Sequence, residues 1–293
     1  MLTCILQSCG KNPGFMIGAE IPGERSASAG EGDDIFVTEA DESDGTHKLL
    51  APWLGVVPNV DGDHSWSVGG ESALRENFRT FASRSGELLC FSSDKEFFAG
   101  SCKKITTLQM PGSDFTFAGF CGFMAVNARI AVEAAVLLGC DRSAAESAVS
   151  AFKGIKRRMT LHIQDGERTV IEDYAHHPNE VKNAIRYLRI QYPGHHLRVV
   201  FQPHRYARLE RFYPDFVREL KQADSLFTVP VFAAWSESGS CNSQMLADCC
   251  GGISLTGSWE ENAGAIRGLP HGDKPLLIAV LGAGDVEKII PYL

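Results

Sequence analysis

Short β-like runs and amphipathic stretches alternate along most of this 293-residue chain. In the second half, apolar runs at 168–171, 197–202, 225–230 and 276–281 are separated by helix-like stretches at 179–192 and 211–223, and a final helix follows the last run. Strands that alternate with helices predict a parallel sheet covered by helices. An Asp165-Gly166 pair predicts a hairpin turn ahead of these strands. The pattern therefore predicts an α/β fold.

The first half is less regular. Its pattern predicts strands at 35–39, 53–59, 87–91, 104–109 and 114–118, and helices at 71–84, 127–138 and 143–152. Ser143 followed by Glu146 predicts a capping box for the last of these helices. Residues 1–10 resemble the second half of a helix. The break after residue 152, together with the chain length, predicts two domains, 1–154 and 155–293.

Composition narrows the class of protein. The chain is 44% hydrophobic and 22% charged, which is typical of a globular protein with an ample core. Its net charge of −8 argues against nucleic-acid binding, because no basic stripe could neutralise phosphates. The nine cysteines lack disulfide-framework or zinc-ribbon spacing, which favours reduced thiols. No apolar stretch approaches the roughly 18 residues of a membrane span, and no signal peptide is visible. We expect a cytoplasmic protein without membrane insertion.

Two histidine-bearing strings follow what the pattern suggests are neighbouring strands. One runs from Glu172 to Pro178 (EDYAHHP) and the other from Phe201 to Arg208 (FQPHRYAR). In a right-handed parallel unit both strings would leave the same carboxyl edge of the sheet, where such folds bind ligands. An acid, up to three histidines and two arginines would then share one site, which favours an anionic substrate. The alternative is two polar strand ends with solvated charges.

A second cluster, in the first half, is acidic. Glu39 to Asp44 contains four carboxylates directly after a predicted strand, and Asn59 to His64 follows the next strand. Carboxylates and an imidazole at adjacent strand ends could bind Mg²⁺, which takes one or two protein ligands and completes its shell with phosphate and water. Alternatively, these acids cap helices and turns. The basic cluster of the second half favours the metal-and-phosphate interpretation.

Six strings, taken in order, resemble the Mur ligase family: FVTEADESDG, VVPNVDGDH, FKGIKRR, EDYAHHPNEV, FQPHRYAR and LGAGD. The resemblance covers nearly the whole chain, and DYAHHP with FQPHR is most like the alanine-adding branch. It implies a partial central ATPase domain followed by a Rossmann-like carboxy-terminal domain. It also implies ATP- and Mg²⁺-dependent ligation of L-alanine to UDP-N-acetylmuramate in peptidoglycan synthesis, through an acyl phosphate.

The resemblance assigns roles to particular residues. Glu39 and His64 would be Mg²⁺ ligands, with Glu42 as the alternative to Glu39. The nucleotide would be bound by Asn127, Arg158 and Asp173. Alanine would be surrounded by Tyr174, His176, His204, Arg205 and Arg208, of which His176, His204 and Arg205 would be catalytic. An arginine fork grips a carboxylate, and a histidine can accept the ammonium proton before attack. His195 and His196 match nothing in the family and are expected at the surface.

The chain departs from the family pattern at its nucleotide site. The glycine-rich loop ending in Gly-Lys-Thr, which cradles ATP phosphates, is absent from the sequence, and Gly10-Lys11 is followed by Asn12-Pro13. The adenine-contacting string keeps only Asn127. We therefore expect a truncated ligase without its phosphate loop and its UDP-binding domain, for which a separate amino-terminal segment is a candidate partner. The alternative is a catalytically inactive binding or regulatory module.

Overall fold

The computed structural model describes residues 1–21, 23, 25–31, 35–60, 62, 65–112, 115–234 and 238–293, with the backbone alone at Trp66. The chain divides into two compact units, Met1–Lys153 and Gly154–Leu293. The sequence pattern had placed a domain boundary one residue later. Among the described residues, no helix combines the length and the apolar character needed to cross a membrane.

Unit 1 is built from small sheets and four helices in its described part. Its elements are α1 (Leu2–Ser8), β1 (Gly14–Met16), β2 (Ala27–Ser28), β3 (Phe36–Thr38), β4 (Leu54–Val57), α2 (Glu71–Arg84), β5 (Glu87–Phe91), β6 (Ile105–Leu108), β7 (Thr116–Phe117), β8 (Phe120–Cys121), α3 (Gly122–Leu137) and α4 (Arg142–Ser150). Three 3-10 turns complete it, at Thr46–Leu49, Ser65–Ser67 and Ser92–Asp94.

The strands of unit 1 form two separate three-stranded sheets and a short hairpin. One sheet has the order β2-β1-β3, with β1 and β3 parallel. The other has the order β4-β5-β6 and is wholly parallel. The two-residue strands β7 and β8 form the hairpin. Both larger sheets pack against α1 and α3, and the β4-β5-β6 sheet also packs against the apolar face of α2.

Two helix starts in unit 1 differ from the sequence-based prediction. The helix expected from 127 begins at Gly122, because Phe123 to Val126 continue its apolar face. The helix expected from 143 begins at Arg142, and its cap is Asp141, whose carboxylate accepts a hydrogen bond from the Ala144 amide. The Ser143–Glu146 capping box is therefore wrong, since a better cap lies two residues earlier. Strands β1 and β2 were not predicted.

Unit 2 is a six-stranded sheet with helices on both faces. Its elements are β9 (Thr160–Gln164), β10 (Arg168–Asp173), α5 (Pro178–Gln191), β11 (His196–Phe201), α6 (Tyr206–Arg211), α7 (Tyr213–Leu220), β12 (Ser225–Thr228), α8 (Ser243–Cys250), β13 (Ile253–Ser254), α9 (Trp259–Gly268), β14 (Leu276–Leu281) and a 3-10 helix, Val286–Tyr292. Among the described residues of this unit, the strand order is β13-β12-β11-β14-β10-β9, and only β9 runs antiparallel.

The two faces of this sheet bury two apolar clusters. Alternate residues of β14 serve opposite faces: Leu277 and Ala279 pack under α5 and α7, whereas Ile278 and Val280 pack under α9. Every residue of β14 is buried. A central parallel strand covered on both faces explains why its sequence is a continuous apolar run rather than an alternating one.

Several predictions for unit 2 need correction. Strands β10 and β11 are not neighbours, because β14 lies between them. The single helix expected at 211–223 is two helices divided at Phe212, with Pro214 in the first turn of α7. Helices α8 and α9 were not predicted. His196 is half-buried and starts β11, where its Nε2 lies 3.1 Å from the Ser225 hydroxyl, so it is not a surface turn residue.

His47 in unit 1 is an unusual core residue. It is 3% exposed and its ring lies 5.1 Å from the Phe78 ring and 6.2 Å from the Phe81 ring, centroid to centroid. Within the described part of the chain, neither ring nitrogen has a hydrogen-bond partner. Burial lowers the pKa of His47 below its ordinary value, and the nearby Asp41 backbone offsets this only partly.

This burial predicts acid sensitivity of unit 1. Because the folded state disfavours the charged ring, unfolded chains bind a proton that folded chains do not, and stability falls as the pH drops below about 6.5. We expect His47→Phe to raise the free energy of unfolding by about 1–3 kcal/mol, since it removes unpaired buried nitrogens. The variant should also lose stability less steeply between pH 7 and 5. Parallel pH profiles for the two proteins in urea unfolding would contradict this account.

Candidate functional site

Three parallel strands of unit 2 end together and place both histidine strings at one edge. Asp173 of β10 pairs with Leu281 of β14, which also pairs with Phe201 of β11. The Gly282 amide donates to the Asp173 carbonyl at 3.1 Å, and the Gln202 amide donates to the Leu281 carbonyl at 3.0 Å. The two strings and the glycine loop after β14 therefore leave the sheet side by side, at the edge where parallel sheets bind ligands.

Three aromatic side chains from the two strings meet at this edge. The His176 ring is 5.2 Å from the Tyr174 ring and 5.6 Å from the His204 ring, centroid to centroid. His204 is also stacked on Phe232 at 5.4 Å, with only 8° between the ring planes. The predicted convergence of the two strings is thus present in the structure, although β14 separates their strands.

Two arginines of the second string lie beside these rings. Arg208, on α6, is 7% exposed, and its guanidinium donates to His204 Nδ1 at 3.3 Å. Arg205 is half-buried and adopts φ +67°, a left-handed conformation that costs a non-glycine residue energy. Its amide donates to the Phe232 carbonyl at 2.9 Å, and the Phe232 amide donates to the Pro203 carbonyl at 2.8 Å. These two backbone hydrogen bonds stabilise the strained turn.

Burial and the surrounding cations together keep His204 uncharged. Burial first, and then the proximity of His176, Arg208, Arg205 and Arg157, lower the pKa of His204 to about 4. At neutral pH this imidazole is therefore uncharged. The site combines fixed guanidinium charges with the uncharged imidazole of His204, which suits recognition of a carboxylate.

Glu180, in the first turn of α5, organises the first string and was not predicted. One carboxylate oxygen accepts hydrogen bonds from the His176 amide at 2.9 Å and the His177 amide at 3.1 Å, and lies 3.3 Å from His176 Nδ1. The other oxygen lies 3.7 Å from the Arg158 guanidinium. Burial acts to raise the pKa of Glu180, but His176, the two amides and Arg158 outweigh it, so that this pKa is lowered.

Arg157 is a second residue that the sequence reasoning missed in favour of Arg158. Its guanidinium donates to Glu172 at 2.9 Å, to the Gly282 carbonyl at 2.8 Å and to the Gly284 carbonyl at 3.1 Å. It also lies 4.8 Å from the centre of the Tyr174 ring. Arg157 therefore ties the first string to the glycine loop. The FKGIKRR string contained the signal, but only the fold shows which arginine faces inward.

Gln202 ties the same loop to the second string. Its side-chain amide donates to Asp285 at 2.9 Å, and its carbonyl accepts from the Asp285 and Val286 amides at 2.9 and 3.1 Å. A Cβ at Gly284 would overlap the Gln202 side chain and the Phe232 ring. The glycine is therefore required by close approach, and LGAGD packs against FQPHR.

The residues expected to bind nucleotide lie in both units. Asp173 is 3% exposed, and its two oxygens accept hydrogen bonds from the Met159 and Ala175 amides at 3.0 and 2.8 Å. Burial raises the pKa of Asp173 to about 6. These contacts give Asp173 a structural role at the strand end, and its ribose role stays a prediction. Arg158 is exposed with its guanidinium 5.5 Å from the Tyr174 ring, and Asn127 is exposed on α3.

The predicted metal site is described in part. His64 lies outside the described residues. Glu39 is exposed, and its carboxylate accepts a hydrogen bond from the Gly18 amide at 2.8 Å. Glu42 lines a cavity of about 250 Å³ together with His47 and Asn59. Within the described residues, no cluster of three or more histidine, cysteine, aspartate or glutamate side chains could hold a metal ion.

Two other acids of this segment act as turn caps. Asp41 accepts a hydrogen bond from the Ser43 amide at 2.8 Å, and Asp44 accepts from the amide and hydroxyl of Thr46 at 2.8 and 2.7 Å. The Thr46 hydrogen bonds lower the pKa of the Asp44 carboxyl. The contacts of Asp41 and Asp44 agree with the alternative interpretation, in which these acids cap turns. Glu39 and Glu42 are left as the candidates for binding a cation.

Comparisons with known proteins point to one family. Residues 157–284 match the family described as Mur ligase, glutamate ligase domain. The UDP-N-acetylmuramate–L-alanine ligase of Clavibacter michiganensis is 30% identical, with all of this chain matched to 68% of the relative. The enzyme of the same name from an Arthrobacter strain is 32% identical, over 80% of this chain and 57% of its own length.

Solved structures show the same fold. UDP-N-acetylmuramate–alanine ligase from Thermotoga maritima superposes with a TM-score of 0.77 at 19% identity, covering 99% of this chain and 70% of that protein. MurF ligase from the same organism, in complex with ADP, gives 0.70 at 14% identity, covering 99% and 75%. The resemblance first drawn from six short strings is thereby confirmed: this chain belongs to the Mur ligase family and groups with its UDP-N-acetylmuramate–L-alanine ligases.

Proposed function

We propose that this chain carries the alanine-binding part of an ATP-dependent ligase that joins L-alanine to UDP-N-acetylmuramate in cytoplasmic peptidoglycan synthesis. The observation that carries the proposal is the convergence of Tyr174, His176 and His204 with two arginines at one sheet edge. A relative that carries the name of this enzyme matches the whole chain. The relatives also extend beyond it, since the chain spans 68% and 57% of the two cited relatives.

The chemistry of this edge suits a small amino acid. Guanidinium groups can hold a carboxylate through paired N–H donors, which a lysine cannot reproduce. A histidine ring beside them, when it is neutral, offers a nitrogen that can accept a proton from an ammonium group. A free amine is the nucleophile that amide formation on an activated carboxyl group requires. We therefore place alanine against Arg205 and Arg208, with its amino group toward His176.

The residues present fit Mg²⁺ better than they fit the nucleotide phosphates. Glu39 and Glu42 supply the hard oxygens that Mg²⁺ prefers, and the ion would offset charge between phosphate and carboxylate groups. The sequence contains no Gly-Lys-Thr loop that would surround a triphosphate with backbone amides and a lysine. The residues of this chain by themselves do not match an ATP phosphate site.

Unit 1 has open strand edges that could receive the absent loop. Strands β3 and β4 each have a single strand neighbour among the described residues. In a parallel ladder, every second residue of an edge strand points its backbone N–H and C=O groups away from the neighbouring strand. At these two edges, those residues are Phe36 and Thr38 of β3 and Leu54 and Val56 of β4. Both strands also pack against α1 and α3, and Leu2 of α1 belongs to the apolar cluster around β3 as well as to the one around β4.

These open edges support the proposal of a separate amino-terminal segment. An added parallel strand could pair with the free edge of β3 or of β4, and it would carry a phosphate loop toward the carboxyl end of that strand, where Glu39 follows β3 and Asn59 follows β4. Phe36 is 59% exposed at the β3 edge, and an added strand would reduce this exposure. Strand addition to an unpaired edge is a common mode of peptide recognition.

The isolated chain should therefore turn over ATP poorly. A hydrogen-bond donor to the reacting phosphate stabilises the transition state by about 2–4 kcal/mol. The absence of several such donors should therefore slow the reaction by orders of magnitude. The test is phosphate release from the purified chain with ATP, Mg²⁺, L-alanine and UDP-N-acetylmuramate. Release near the roughly 1–100 per second of ordinary phosphoryl-transfer enzymes would contradict this prediction.

The absence of the loop also favours a second function. A module that binds alanine or the muramate nucleotide without ligation would share the unit 2 site and lack ATP chemistry. The same assay separates the two proposals when it is repeated with an amino-terminal segment of a relative that contains both the UDP-binding domain and the phosphate loop. Alanine-dependent phosphate release that appears with this segment supports the ligase, and its continued absence supports the binding module.

A further inference from the structure

The two histidines at the site have opposite protonation patterns, which follow from their hydrogen-bond partners. His176 Nδ1 lies 2.9 Å from the Tyr174 carbonyl oxygen and 3.3 Å from the Glu180 carboxylate. Both partners are acceptors, so the proton must reside on Nδ1. The lone pair of neutral His176 is then on Nε2.

His204 has the reverse arrangement. Its Nδ1 lies 3.3 Å from the Arg208 guanidinium, which can only donate. Nδ1 must therefore carry the lone pair, and the proton of neutral His204 resides on Nε2. An imidazole whose lone pair already accepts from an arginine, within a cluster of cations, is poorly placed to take up a second proton. His204 is a hydrogen-bond donor at neutral pH.

We propose that His176 alone is the base for the incoming amine, and that Glu180 is the positioning residue that makes it one. This inference rests on the proposed alanine-binding function and separates roles that the sequence assigned to both histidines. One N–H bond of the ammonium group breaks, its proton forms a bond to His176 Nε2, and the electron pair stays on the nitrogen as the nucleophile. The imidazolium then carries the positive charge beside Glu180.

The surroundings of Glu180 support this role. Its carboxylate is held by the amides of His176 and His177 and by its place in a capping box with His177 at the start of α5. The carboxylate is therefore fixed rather than mobile, and its charge faces the Nδ1 side of the ring. The charged groups near His176 are Glu180 and Arg158 on one side and the arginines beside His204 on the other.

The test uses ¹⁵N-histidine NMR of the whole chain, with His176 and His204 assigned by single replacement with glutamine. For the uncharged rings, we expect the His176 proton on Nδ1 and the His204 proton on Nε2. Opposite charges within about 4–6 Å shift a titration by 1–3 pH units, so Glu180→Gln should lower the midpoint of His176 by about one unit. Glu260→Gln, an exposed acid in the first turn of α9, is the matched control and should leave it unchanged.

Each outcome decides the proposal. A proton on Nε2 of His176 in the wild-type chain overturns it, as does an unchanged His176 midpoint in Glu180→Gln. If that variant does not fold, Glu180→Asp replaces it and should move the midpoint in the same direction by less. These readouts need no bound alanine. Failure of alanine binding would therefore count against the proposed function and leave the assignment of the two histidines to stand or fall separately.

Discussion

Replacement of Arg198 by alanine should destabilise unit 2 by at least about 3 kcal/mol. Arg198 lies in the middle of the sheet on β11 and is 0% exposed. Its guanidinium donates to the Ile266 and Leu269 carbonyls at the end of α9, the latter at 2.7 Å, and its Nε donates to the Ser225 hydroxyl at 3.2 Å. The change leaves the two carbonyls without this donor, at about 1–3 kcal/mol each, and opens a cavity.

The measurement is urea unfolding of the wild-type chain, Arg198→Ala and the exposed control Arg267→Ala. Arg267 lies on the same α9 helix, and surface substitutions change stability by no more than about 0.5 kcal/mol. Arg198→Lys should recover part of the loss, because lysine can reach one of the two carbonyls. If Arg198→Ala and Arg267→Ala unfolded at the same urea concentration, the buried guanidinium would contribute nothing to the fold.

Replacement of Arg205 by lysine should weaken L-alanine binding by tenfold or more, about 1.4 kcal/mol. Lysine keeps the charge and the same backbone strain at φ +67°, but it loses the planar pair of donors that a carboxylate fits. The variant therefore isolates the shape of the cation from its charge. Titration of alanine into the chain, followed by NMR, gives the two dissociation constants.

Arg267→Lys is the control for this second prediction and should leave the dissociation constant unchanged. A change of less than about twofold in Arg205→Lys, under roughly 0.5 kcal/mol, would show that Arg205 does not hold the carboxylate. Arg208, whose guanidinium also contacts His204, would then be the remaining candidate. The same titration of Arg208→Lys would then test that residue.

Long elements with a clear period were predictable from the sequence. Helix α2 and strand β14 have the bounds that the pattern indicated, because one carries a regular amphipathic face and the other is a continuous apolar run. Strands β1 and β2 are three and two residues long, which is too short for any period to be visible. The division of α6 from α7 was signalled by Pro214, which favours the first turn of a new helix.

The site was predictable as a set of strings but not as a set of contacts. Two dense strings after parallel strands indicate a shared edge, and His176 and His204 do meet there. The position of β14 between their strands depends on sheet order, which a local pattern does not encode. Glu180 and Arg157 were missed for the same reason, since their partners are set by the turn geometry and by the glycine loop.

L-alanine binding by the chain tests the central claim most directly, in the absence and in the presence of ATP, Mg²⁺ and UDP-N-acetylmuramate. We predict saturable binding of L-alanine, weakened tenfold or more in Arg205→Lys, with competition by glycine and L-serine. L-leucine should compete weakly, because each extra methylene in a tight pocket costs about 1–3 kcal/mol. Absence of saturable L-alanine binding under both conditions, or equal competition by L-leucine, would contradict an alanine site at this edge of unit 2.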